Sequence, residues 1–76
     1  MKIGKRDYRK IKKDYIEIDK SIYDGDVWKL YEHNEYGEDA LCIAVNLTQR
    51  FYTYTDESLD YTVSYLEDYT LYSMLP

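Results

Sequence analysis

The chain has 76 residues and a formal net charge of −5, from 15 Asp and Glu against 10 Lys and Arg. That length gives one small domain, 1–76, with a modest core and room for about one working surface. Cys42 is the only cysteine, which excludes an internal disulfide and a cysteine-based metal cluster, and the longest apolar run, residues 40–45, is too short to cross a bilayer. No apolar signal region follows the basic N-terminus, so a cytoplasmic, reducing compartment is expected.

Residues 8–23 carry two periodicities. Tyr8, Ile11, Tyr15, Ile18 and Ile22 recur at helical spacing ahead of Gly25, whereas residues 15–19 alternate as a strand does. One continuous helix would put the bases at its N-terminal end and Asp14, Glu17, Asp19 and Asp24 toward its C-terminal end, against the macrodipole. Both readings stay open. The dipole favours a basic arm or short helix up to Lys13 followed by a strand at about 14–19.

Residues 27–33 alternate Trp28, Leu30 and Glu32 against Val27, Lys29 and Tyr31, a strand pattern. Residues 34–39 then supply turn chemistry, with Gly37 free to take a positive φ. Residues 40–46 put Leu41, Ile43 and Val45 on one face and Cys42 and Ala44 on the other, as in a central strand covered on both sides. Residues 50–55 set Tyr52 and Tyr54 opposite Phe51, Thr53 and Thr55. A helix follows at about 57–70, capped by Thr55 or Asp56. At ~100° per residue, Leu59, Val63 and Leu66 share its core face, with Tyr61, Tyr65, Tyr69 and Tyr72 as a flanking ridge. The expected fold is α+β: a small antiparallel sheet of three to four strands packed by a C-terminal helix.

Charge divides the chain. Residues 1–13 hold Lys2, Lys5, Arg6, Arg9, Lys10, Lys12 and Lys13 with one acid, Asp7, whereas the body, 14–76, sets every other acid against Lys20, Lys29 and Arg50. Such a body repels nucleic acid and attracts basic protein surfaces, so direct nucleic-acid binding is not expected. Eleven tyrosines against one phenylalanine point the same way. Tyrosine carries a hydroxyl that wants a polar partner and is enriched at interfaces.

Catalytic chemistry finds little support. His33, the only histidine, and Cys42 read as a loop-edge side chain and an inert core thiol. Asp24-Gly25-Asp26 lacks the ligand series of a calcium loop and reads as a turn. Nothing has metal-ligand spacing or a phosphate-cradling glycine pattern, so no cofactor, metal or enzyme activity is expected. The sequon at Asn46-Leu47-Thr48 and the sorting-like Tyr72-Ser73-Met74-Leu75 are short patterns of the kind chance supplies.

The acids at 56, 57 and 60 fit helix capping, whereas Glu32, Glu35, Glu38 and Asp39 crowd one hairpin tip without a local reason. The expected contact set is these four with Tyr31, Tyr36, Tyr61, Tyr65 and Tyr72. In size, acidity and want of catalytic motifs the whole chain resembles small phage-encoded inhibitors of bacterial defence systems, the anti-CRISPR and DNA-mimic proteins. The resemblance is of kind and rests on no shared motif. It implies a non-catalytic protein, cytoplasmic in a bacterial host, that occupies a basic nucleic-acid-binding surface of a nuclease or other large protein. The alternative is an assembly subunit that dimerises through the tyrosine ridge of the last helix.

Overall fold

The computed structural model describes the backbone of residues 5–73 and the side chains of residues 8–66. Helix α1 (Lys5–Asp14) leads into strands β1 (Tyr15–Tyr23), β2 (Asp26–His33), β3 (Cys42–Asn46) and β4 (Phe51–Thr55), and helix α2 (Leu59–Ser73) follows. The strands form one antiparallel sheet in the order β1-β2-β3-β4.

The two periodicities of residues 8–23 belong to two elements. The helix stops at Asp14, which leaves Lys12 and Lys13 in its last turn, where the dipole favours them, and moves Glu17 and Asp19 onto a strand. The strand runs four residues beyond the expected 14–19. Its extension is closed by Asp24 and Gly25, with φ of 49° and 83°, and flanked by the paired Tyr23 and Asp26. Positive φ at both central residues is the primed-turn geometry that Asp-Gly prefers. In this edge strand Ile18, at a register shift, and Ile22 are exposed and play no part in a core seam.

β2 and β3 organise the interior. Tyr31, Ile43 and Val45 meet Ile11 of α1 on one face, with Tyr8, Tyr15, Leu47 and Tyr52 at the margin. Trp28, Leu30 and Ala44 meet Leu59 and Val63 of α2 on the other, with Phe51 set edge-on to Trp28 at 5.2 Å. The helices thus cover opposite faces, and β3 is the doubly covered strand that its composition predicts. It starts at Cys42, not at 40. The amides of Asp39 and Ala40 donate to Tyr36 and Gly37 carbonyls, which commits them to the preceding loop, and Leu41 is left 51% exposed.

The last helix begins at Leu59, later than the expected 57. Ser58 is its cap: the Ser58 Oγ accepts from the Tyr61 amide at 3.2 Å, and the Ser58 carbonyl accepts from the Thr62 amide. Thr55 is still paired with Cys42, and Asp56 and Glu57 are used in turning the chain from strand to helix. Leu59, Val63 and Leu66 face the sheet as their spacing requires.

Among the described residues, Ile43, Val45 and Leu59 are fully buried core side chains. Ile43→Val is expected to lower unfolding free energy by about 1 kcal/mol. Leu41→Ala should stay within ~0.5 kcal/mol, since Leu41 lies on the surface. Urea denaturation of both variants checks the pair, and equal losses would contradict the placement of β3.

Candidate functional site

An antiparallel sheet sends alternate connections to the same end. The α1–β1 junction, the loop of residues 34–41 and the connection of residues 56–58 all emerge beside the β1 start and the β2 and β4 ends. The hydrogen bond from the Asn34 amide to the Asp14 carbonyl, at 2.8 Å, ties the first two together. Two acidic groups distant in sequence therefore share one end of the molecule: Glu32, Glu35, Glu38 and Asp39 from the hairpin, and Asp56 and Glu57 from the approach to α2.

Four other carboxylates are committed elsewhere. Glu17 pairs with Lys29 Nζ at 2.5 Å, and its proximity raises the Lys29 pKa. Asp26 accepts from the side-chain amides of Asn46 and Gln49. Asp60 accepts the Tyr23 hydroxyl hydrogen, which raises the tyrosine pKa, and Asp19 accepts from the Lys20 amide. Among the described residues, no ion pair or side-chain hydrogen bond engages the carboxylates of Glu32, Glu35, Glu38, Asp39, Asp56 or Glu57, nor that of Asp14 beside them. Asp24, in the β1–β2 turn at the opposite end, is likewise uncommitted among the described residues. Free carboxylates at one end of a small body concentrate a negative field there.

His33 gives this end its shape. Its Nδ1 accepts from the backbone amides of Glu35 and Tyr36 at 3.1 and 3.2 Å, so in the structure the ring holds the loop as a hydrogen-bond acceptor. Tyr15 packs edge-on against one side of the imidazole, and the Tyr36 ring lies tilted over it at 4.8 Å. Gly37, with φ of 52°, donates to the His33 carbonyl and closes the loop. The result is a shaped tip with Glu35, Glu38 and Asp39 on the outside and Tyr36 59% exposed. Glu32 is half-buried near Cys42, whose thiol pKa is pushed up by burial first and by Glu32 second. A thiol so placed stays protonated and is a poor nucleophile.

A second aromatic group borders the same end. An open groove of about 310 Å³ runs between β4 and α2, lined by Tyr54, Tyr61, Tyr65 and Leu66 with Asp56 and Glu57. Tyr61 is 59% and Tyr65 64% exposed, so neither roofs the core. Tyr69 and Tyr72, the rest of the expected ridge, lie outside the described side chains.

One expected contact residue is misplaced. Tyr31 is 3% exposed and lies beneath α1, where its hydroxyl shares a 2.7 Å hydrogen bond with that of Tyr8. Its strand alternates as a half-exposed one would, but α1 covers the second face. The basic helix is thereby folded against the sheet through Ile11 and Tyr8, with Lys12 Nζ 4.7 Å from the centre of the Tyr8 ring. Asn46 is also buried, its amide spent on Asp26 and on the Thr48 and Gln49 amides, so the sequon is not presented to a modifying enzyme.

Among the described residues no group of His, Cys, Asp and Glu could hold a metal ion, and no helix is long and apolar enough to cross a membrane. The Tyr8–Tyr31 pair has its own pH signature. Burial, then the bond to Tyr8, raises the Tyr31 pKa above the ordinary value of about 10. A folded-state pKa raised in this way adds stability that is complete below about pH 10 and is lost as pH climbs toward the folded value. The urea midpoint of the wild type should therefore fall above about pH 10, and Tyr31→Phe should flatten that fall. Parallel declines in the two proteins would remove the pair as the cause.

No protein-family model matches the chain, and searches of curated proteins and of solved structures find no match. Its functional reading rests on the geometry of the acidic end.

Proposed function

We propose that the chain is a non-catalytic binding protein whose acidic end occupies a basic, nucleic-acid-binding surface of a larger protein, such as a defence nuclease. The observation that carries this reading is the gathering of uncommitted carboxylates from two separate connections at one end, bordered by exposed tyrosines. Carboxylates spaced over a rigid end can stand in for backbone phosphates before Lys and Arg side chains. Exposed tyrosines beside them add contact area with little rotamer entropy to lose. The contact set under this reading is Glu35, Tyr36, Glu38 and Asp39 at the tip, with Glu32 at its base and Asp56, Glu57, Tyr61 and Tyr65 alongside.

The likeness to anti-CRISPR and DNA-mimic inhibitors, in size and acidity, supports the same partner class. The N-terminal bases, which a pure mimic would lack, sit on a helix that packs against the sheet, with Ile11 buried beneath it. Dimerisation through α2 is the competing reading, favoured by the exposure of Tyr61 and Tyr65.

The two readings separate in one experiment. The tagged chain is passed through nuclease-treated bacterial lysate at about 0.1 M and about 1 M salt, where screening lengths differ about threefold. A nucleic-acid-binding protein should be retained at low salt and released at high salt. The triple variant Glu35→Lys, Glu38→Lys, Asp39→Lys should keep its circular dichroism spectrum and lose the captured protein. Undiminished capture by the triple variant would remove the tip from the interface. Recovery of a dimer of the bait alone would favour the assembly subunit.

A further inference from the structure

Formal charge is unevenly spread along the chain. Residues 1–50 hold ten acids and ten bases, so they balance. Residues 51–76 hold Asp56, Glu57, Asp60, Glu67 and Asp68 with no Lys, Arg or His. The whole net charge of −5 therefore comes from the segment that forms β4 and α2, and the groove between those two elements lies in it.

The groove's own polar groups leave room for a cation and not for an anion. Thr55 Oγ accepts from the Glu57 amide at 3.0 Å and shares a 2.8 Å bond with Thr62 Oγ. Thr62 spends its proton on the Ser58 carbonyl, so Thr55 is the donor in that pair. Neither hydroxyl has a proton left to offer an anion. Asp56 and Glu57 also line the groove, and no ion pair or side-chain hydrogen bond engages their carboxylates among the described residues. Tyr61 and Tyr65 line it too, both largely exposed, with Leu66 beside them.

We propose that the β4–α2 groove is a subsite for one arginine side chain of the partner protein. This deepens the reading of the acidic end as a protein-binding surface, and rests on it, by naming the residue type received at one flank. The groove's volume of about 310 Å³ is at the lower limit of ligand pockets, which suits one long side chain better than a larger ligand. A guanidinium is weakly hydrated, lies flat on an aromatic ring and meets carboxylates with paired N–H donors, whereas an ammonium is a strongly hydrated point charge. Arginine therefore uses the tyrosines and the carboxylates together, and its methylene stem suits the apolar surface of Leu66.

The probe is blocked arginine, N-acetylarginine amide, titrated into the full chain with NMR detection at about 0.05 M salt, where screening is weak. Blocked lysine and blocked citrulline, which keeps arginine's shape without its charge, are the comparison probes. Arginine should shift the Asp56, Glu57, Tyr61 and Tyr65 signals saturably. Lysine should bind at least about threefold more weakly, and citrulline should give no saturation. The double variant Asp56→Asn, Glu57→Gln and the single variant Tyr61→Leu should each weaken arginine binding by about fivefold or more. The tip variant Glu35→Gln, Glu38→Gln, Asp39→Asn should stay within about twofold. An unchanged signal from the buried Trp28 shows that each variant is folded.

No saturable arginine binding, equal binding of lysine, or full binding by either groove variant would each overturn the subsite. So would shifts as strong at Glu35, Glu38 and Asp39 as in the groove, since the probe would then report charge alone. The same groove shifts on concentrating the chain without probe would also overturn it, with a second copy as the occupant. Capture of a nucleic-acid-binding protein from lysate without arginine binding sinks the subsite alone. Arginine binding without any such capture sinks the broader reading of the acidic end alone.

Discussion

The structure depends on burying both faces of β3. Ile43 and Val45 point toward α1, and Ala44 points toward α2, so a five-residue strand needs a cover on each side before it leaves water. Full burial of an aliphatic side chain contributes about 1.5–3 kcal/mol, and in a chain this small few positions can supply it. The two helices follow from that need. α1 brings Ile11, and α2 brings Leu59 and Val63, while their polar sides are left to solvent.

Covering β3 in this way fixes where function can sit. With the sheet sandwiched, neither face offers a broad binding surface, and what remains is the two ends and the two edges. The end near the β1–β2 turn is largely spent on structure: Asp26, Asn46 and Gln49 form a closed polar group there, and Thr48 accepts from the Val27 amide. The opposite end keeps its carboxylates free. His33 is the exception there, because it works for the fold, holding two loop amides and packing between Tyr15 and Tyr36. The histidine therefore shapes the acidic tip.

Tyrosine does two kinds of work in this chain. Tyr8, Tyr15, Tyr23, Tyr31 and Tyr52 pack at core margins or inside, and hydroxyl bonds join Tyr8 to Tyr31 and Tyr23 to Asp60. Tyr36, Tyr54, Tyr61 and Tyr65 are exposed, and the last three line the β4–α2 groove. A residue apolar in body and polar at its tip can serve on either side of the solvent boundary. Tyrosine content alone therefore marks an unusual chain without saying which rings are outside.

Local patterns determined the elements. The apolar run at 40–46, the alternation in β2 and β4 and the spacing of Leu59, Val63 and Leu66 are short-range features, and each produced a strand or helix face, the first of them beginning two residues later than expected. The charge separation between residues 1–13 and the remainder, and the acidity of the loop at 34–39, were equally plain. Tertiary structure decided the rest. Alternation says that Tyr31 and Leu30 face opposite ways, but not that α1 covers the Tyr31 side, because only packing shows whether a face is roofed. Asp24-Gly25-Asp26 read as a turn, yet that it closes a hairpin, and how long β1 runs, depended on pairing with β2. Capping explained Asp56 and Glu57 in isolation, and only the strand order brings them to the same end as Glu35, Glu38 and Asp39. Sequence patterns report periods along a chain, whereas a binding end is built from segments that the sheet makes neighbours.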